Sequence, residues 1–192
     1  MKSWEKNIED IKAQLTIDKE HRLILAKLPM IMTPRMFFVN IQKKIEEISG
    51  GDASRLIYYQ AAFESAYNYM KNSKKLYMIA GTDLLQQYLD SLSIRGWGKF
   101  QILRLDEEKG EGCVQLKHSA IAEEYGSVGR TVCHAWAGAL AGAGQFLADE
   151  HKKEMEVRGH ERLCVSKGDP HCEFVLTHKT SEKKRENIYG RE

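Results

Sequence analysis

Between Ala135 and Gly144 the chain is written almost entirely in alanine and glycine, and only Trp136 and Leu140 interrupt the run. The segment falls within a predicted long helix over about 130–154, so Gly138, Gly142 and Gly144 are helical glycines. Each costs a helix of order 0.5–1 kcal/mol against alanine. A helix that keeps three of them is expected to gain from close backbone approach to a sheet, to another helix or to a ligand. This helix therefore has to lie against something. Tight packing and room for a flat or elongated ligand are both compatible with its small-residue face.

The flanking segments show what it can lie against. Residues 2–28 read as a helix, with apolar side chains at Trp4, Ile8, Ile11, Leu15, Leu23 and Leu28. Pro29 and Pro34 bracket a connector. A second helix runs over 34–48 with Met36, Phe37, Ile41, Ile45 and Ile48 on one side, and Gly50-Gly51 ends it. A third starts near Ala53 and carries Leu56, Tyr59, Phe63, Ala66, Tyr67 and Met70 at helical spacing. Leu76 to Leu92 form a fourth, or one with a bent start at Gly81, with Thr82 or Asp83 as its cap.

At Gly96-Trp97-Gly98 the pattern changes to strands. Lys99 to Leu105, a charged turn over 106–112, and Cys113 to His118 make one hairpin. After the Gly/Ala helix, Met155 to Val165 and His171 to Leu176 make another. The order helices, hairpin, helix, hairpin predicts an α+β fold, an antiparallel sheet of two hairpins with helices packed on it. Residues 1–29 are read as an N-terminal helical extension, 30–178 as the principal domain and 179–192 as a polar tail.

Composition narrows the function classes. The 192 residues are 42% hydrophobic and 29% charged, enough for a core without disulfides or metal. The net charge of +2 argues against nucleic acid as a direct partner. The N-terminus has no signal-peptide pattern. The most apolar window, Val132 to Ala148, contains His134 and Gln145 and is too short to span a bilayer. A cytoplasmic protein is expected, with four cysteines as thiols or metal ligands.

Two of those cysteines bracket Lys167-Gly168-Asp169-Pro170. If the last hairpin turns about Gly168, Cys164 faces Cys172 on one side of the sheet, with Cβ atoms about 4.5–5.5 Å apart. Both thiolates then reach one zinc at about 2.3 Å. Glu161 lies at an odd offset from Cys164, so a bulge or irregular strand start is needed to bring it in. A further ligand has to come from afar. Cys133 is the better placed candidate, and Cys113, His160 and His171 remain alternatives by residue type. Buried cysteines also serve as small hydrophobes.

Cys164-Val-Ser-Lys-Gly-Asp-Pro-His-Cys172-Glu-Phe174 resembles the ending of the 4-vinyl reductase-type domain, a small-molecule-binding module also found as the sensory part of aromatic-responsive transcription activators. Gly96-Trp97-Gly98-Lys-Phe100 and Cys133-His-Ala-Trp-Ala-Gly138-Ala-Leu-Ala-Gly142 resemble its upstream motifs, in the same order. The resemblance covers about residues 30–177. It implies a fold like the small TRAPP subunits and a homodimer formed through the early helices. It also implies a structural zinc held by Cys133, Glu161, Cys164 and Cys172 beside an aromatic pocket. The His and Trp with which the activators hold phenols align with Leu85 and Ala120, so the polar phenol clamp is not carried over.

A pocket between sheet and helices is expected from Phe63, Tyr67, Met78, Leu85, Trp97, Ser119, Trp136 and Phe146, with Trp97 and Trp136 the strongest members because an indole N–H needs a partner when buried. The chain has no nucleophile elbow, dinucleotide loop or phosphate loop. A zinc with four protein ligands is closed to catalysis. The sequence thus favours a stand-alone binding or sensor protein for a hydrophobic or aromatic small molecule over an enzyme or accessory subunit of tetrapyrrole or aromatic metabolism, and over a dimeric structural adaptor.

Overall fold

The computed structural model describes residues 15–25 and 28–180. Three short strands come first: β1 (Leu15–Ile17), β2 (Leu23–Leu25) and β3 (Leu28–Met30), paired antiparallel in the order β1-β2-β3. The helix expected over 2–28 therefore does not hold where the chain is described; residues 2–14, 26 and 27 lie outside the described residues. The cause is local. The Asp18 carboxylate accepts from the N–H groups of Glu20 and Arg22 at 3.0 and 2.9 Å, and His21 takes a φ of 60°. This side-chain turn reverses the chain between two short apolar runs that carry β-branched residues. Pro29, which has no N–H to donate, sits on the edge strand β3.

Helices α1 (Arg35–Ser49), α2 (Gly51–Tyr77) and α3 (Gly81–Ile94) follow. Leu76 belongs to the end of α2, and the chain breaks at Met78 (φ 57°) before Gly81 (φ 58°) opens α3. Neither Thr82 nor Asp83 caps that helix. Ala80 occupies the cap position without a side-chain bond, and the Thr82 hydroxyl donates to Glu107 instead.

Strands β4 (Lys99–Asp106) and β5 (Glu111–Lys117) form the first expected hairpin, and β6 (Met155–Leu163) and β7 (Cys172–Thr180) the second. Pairing of β5 with β7 joins them into one antiparallel sheet of order β4-β5-β7-β6. A short helix, α4 (Ala120–Tyr125), precedes the Gly/Ala helix α5 (His134–Glu150). Helix α5 starts four residues later than its composition suggests, because residues 126–133 form an irregular approach that delivers Cys133 to its N-terminus.

The glycines of α5 are used for packing. A Cβ placed on Gly138 would lie 2.0 Å from the Tyr59 carbonyl oxygen, and one on Gly142 would lie 2.1 Å from that of Phe63. On another side of α5, a Cβ on Gly159 of β6 would lie 2.1 Å from the Ala137 oxygen. Helix α5 is thus clamped between α2 and the sheet at backbone distance, which leaves no space for a ligand along the α2-facing glycines. Tyr59 spans the same junction, its hydroxyl accepting from the Gly159 N–H at 3.0 Å. By contrast α1 buries only Val39 and Gln42, and Met36, Phe37, Ile41 and Ile48 point outward. No helix among the described residues is long and apolar enough to cross a membrane.

Candidate metal centre and aromatic interior

The resting place of α5 decides the position of Cys133. It caps the helix N-terminus, where the partial positive charge of the backbone favours an anionic sulfur. The buried Gln42 side chain of α1 anchors the approach by donating to the Val132 carbonyl at 2.9 Å. From the sheet come the other three residues. Register in the last hairpin slips between Glu161 and Leu163: Glu161 pairs with Phe174, and Leu163 with Glu173. This irregularity is the one the sequence required to turn Glu161 inward. Cys164 lies just beyond β6, and Cys172 opens β7.

The Gly-Asp-Pro turn holds the two cysteines in place. The Asp169 carboxylate accepts from the Cys164 N–H at 2.8 Å. The Cys164 carbonyl in return accepts from the N–H groups of Lys167 and Asp169 at 2.9 and 3.1 Å. Gly168 takes the left-handed φ of 109° that this reversal requires. The Val165 N–H also hydrogen-bonds the Cys172 sulfur.

One ligand atom each from Cys133, Glu161, Cys164 and Cys172 fall within 4.8 Å of one another. The Cys133 and Cys172 sulfurs are 3.9 Å apart. Two thiolates on one tetrahedral zinc at about 2.3 Å each would stand about 3.8 Å apart. All three sulfurs are free and buried. The Glu161 carboxylate accepts from the Cys133 N–H through Oε2 at 2.9 Å, while its Oε1 is buried without a hydrogen-bond partner. A buried carboxylate oxygen with no donor beside three sulfurs is what a missing cation leaves behind. Three thiols and one carboxylate are also a zinc-type donor set.

Electrostatics point the same way. Burial, reinforced by Cys164, pushes the Glu161 carboxyl up to about 9. The Cys172 thiol is held well below its usual range by hydrogen bonds from Cys133 and Cys164, and Cys133 is driven up by its bonds to Cys164 and Cys172 and by burial. Without a cation the cluster cannot carry several negative charges at once. Around it, the Ser119 hydroxyl lies 3.3 Å from the Cys133 sulfur and His134 Nδ1 lies 3.7 Å from Glu161 Oε2. The alternatives by residue type fall elsewhere: Cys113 lies on β5, His160 is exposed, and His171 faces Glu173 at 3.9 Å.

The residues expected to line one pocket separate into groups. Trp97 and Trp136 meet edge to face at 5.2 Å, with Phe38 against Trp97 at 5.1 Å and Phe100 against Trp136 at 5.4 Å. Tyr67 and Phe146 form another pair at 5.6 Å. Phe146 stands ten residues after Trp136 on the same helix, about 15 Å along its axis. The Tyr67 hydroxyl donates to Asp149 at 2.8 Å. Leu85 is core and Ser119 caps α4 beside Cys133, while Phe63 is partly buried against the core. Met78 is 88% exposed and left-handed, so it belongs to no interior pocket. The first group has one open polar valence: the Trp136 indole N–H is buried with no acceptor.

Sequence reasoning missed Gln42 and Asp169 as positioning residues. A lone glutamine on the buried side of α1 was the available signal for the first, and the Asp in the turn motif for the second.

Known proteins share these features. Residues 113–178 match the 4-vinyl reductase domain, and residues 11–103 match a domain of unknown function (DUF5943). An uncharacterized protein of Methanocaldococcus jannaschii is 30% identical over 94 residues, 49% of this chain and 50% of that protein, so the match spans about half of each. The phenol-responsive sensory domain of the transcription activator PoxR, solved with phenol, superposes with a TM-score of 0.72 at 18% identity, covering 92% of this chain and 90% of that one. A vinyl-4-reductase family protein from Methanocaldococcus jannaschii superposes with a TM-score of 0.52 at 17% identity, covering 93% and 99%. These structural likenesses establish a shared fold. All four cluster residues lie within the match at residues 113–178, and over that span this chain carries a 4-vinyl reductase domain.

Proposed function

We propose that this chain is a cytoplasmic, dimeric binding protein of the sensor type, which holds a hydrophobic or aromatic small molecule over residues 30–178 beside a structural zinc. The observation that carries the small-molecule reading is the aromatic group of Phe38, Trp97, Phe100 and Trp136, whose one buried N–H lacks an acceptor. A ligand that combines a flat apolar body with an acceptor oxygen would satisfy it, and a phenol-responsive sensory domain shares the fold. The orphan oxygen of Glu161 and the 3.9 Å sulfur separation support zinc. When bound, zinc supplies a cross-link among α5, the end of β6 and the start of β7. Four protein ligands leave no open position, which favours a structural over a catalytic role. The outward apolar residues of α1 support self-association.

Native mass spectrometry of the purified chain tests all of this together. The expected species is a dimer with one zinc per chain that takes up a phenolic probe. Cys164→Ser with Cys172→Ser should abolish zinc, whereas Trp136→Phe should keep zinc and weaken the phenolic probe about tenfold, the loss of one net hydrogen bond. A metal-free monomer with no saturable uptake of phenolic probes would sink the reading.

A further inference from the structure

A separate cavity of about 340 Å³ opens where the β1–β3 meander faces the start of α1 and the end of α3. Every residue of its wall falls between positions 15 and 97, outside the 4-vinyl reductase match and inside the segment matched to a domain of unknown function. Its volume lies within the range of small-ligand sites. The wall is apolar through Leu23, Leu25, Phe38 and Trp97, and its only charged members are Arg35 and Arg95.

The two arginines differ. Arg35 is neutralised by Glu123 at 3.0 Å and also donates to the Gly96 carbonyl at 3.0 Å. Arg95 is half-buried, and its donors reach only the neutral carbonyl and hydroxyl oxygens of Ser91, at 3.0 and 3.4 Å. Its guanidinium lies over the Tyr69 ring at 6.0 Å, and no carboxylate of a described residue pairs with it. A half-buried cation without an anion is costly, and guanidinium is the group best shaped to take a carboxylate through two parallel bonds. A cavity with apolar walls, no acidic residue and an uncompensated cation is complementary to an amphipathic anion.

We propose that this cavity is a second ligand site, specific for a small carboxylate with an apolar body, and that Arg95 binds its head group. The site is built independently of the metal cluster and of the Trp136 N–H.

Isothermal titration of the full chain with sodium octanoate, and with 1-octanol as the uncharged control, tests it. Octanoate should bind saturably and at least about tenfold more tightly than octanol, the margin of a charge-assisted hydrogen bond. Arg95→Gln should erase that margin, and Arg95→Lys should restore part of it. Leu25→Trp should fill the cavity and reduce both. Trp136→Phe should leave octanoate binding unchanged. Equal affinity for octanoate and octanol, or an octanoate affinity indifferent to Arg95→Gln, overturns the proposal. So does octanoate binding lost in Trp136→Phe and kept in Arg95→Gln, an outcome that leaves the phenolic reading standing. Finally, absent octanoate binding together with self-association that Leu25→Trp disrupts would overturn it in favour of a second copy of the chain covering the cavity.

Discussion

Gly138 and Gly142 show how a single missing Cβ can set the distance between two helices. Each faces a backbone carbonyl of α2 at about 2 Å from where a Cβ would stand, and backbone cannot rotate aside. Gly144 is of the same residue type and on the same helix, yet its nearest neighbour is a Val157 methyl at 3.1 Å, which can give way. Helix propensity alone would make alanine stabilising at all three by up to about 1 kcal/mol. We therefore expect Gly142→Ala to destabilise the chain by about 2 kcal/mol or more, while Gly144→Ala falls within about 1 kcal/mol of the parent. Denaturant unfolding of the two variants compares them directly. The sequence revealed that these glycines approach something closely. It could not reveal that α2 is the partner, because Tyr59 and Phe63 lie nearly eighty residues away and carry no mark of it.

At the scale of the element, the last hairpin is the part that was most legible. The positions of β6, β7 and the Gly-Asp-Pro reversal follow from alternation and turn chemistry, both local. What escaped was the register. The strands pair one residue out of step on the two sides of the slip at Glu161 to Leu163, and that slip turns the carboxylate toward the sulfurs. The turn depends on Asp169, whose carboxylate satisfies the Cys164 N–H. Asp169→Ala should cost about 1 kcal/mol in folding and weaken zinc about 10–100-fold without removing a ligand. Competition with a zinc chelator dye reads the second effect. The opposite failure is the N-terminal segment: its apolar spacing fits a helix, but the Asp18 turn competes successfully and produces a hairpin.

For the whole molecule, the metal cluster ties three elements that are remote in sequence, so its electrostatics are felt in global stability. In the metal-stripped protein the Glu161 carboxyl titrates near 9 because it is buried, against an ordinary 4.5. Its folded value is raised, so below 4.5 both states are protonated and it costs nothing. As pH rises from 4.5 toward 9 the unfolded chain releases the proton while the folded chain retains it, and stability falls. The unfolding midpoint of the stripped protein should therefore decline over that window relative to the stripped Glu161→Gln variant. Equal slopes would show that the carboxyl is not buried in the way the fold implies.

By itself the sequence determined the two hairpins, the order of the major helices, the Cys164–Cys172 turn and the presence of a closely packed small-residue helix. Each rests on local periodicity, turn chemistry or residue size. Only the tertiary structure decided that β5 pairs with β7, that α5 is clamped between α2 and the sheet, and that Cys133 and an inward-turned Glu161 meet the hairpin sulfurs. It also decided that Trp97 and Trp136 form a group apart from Tyr67 and Phe146, and that Arg95 closes a cavity against the β-meander. These depend on contacts between distant segments, whose favourable energy appears only once the chain has paid the entropy of bringing them together.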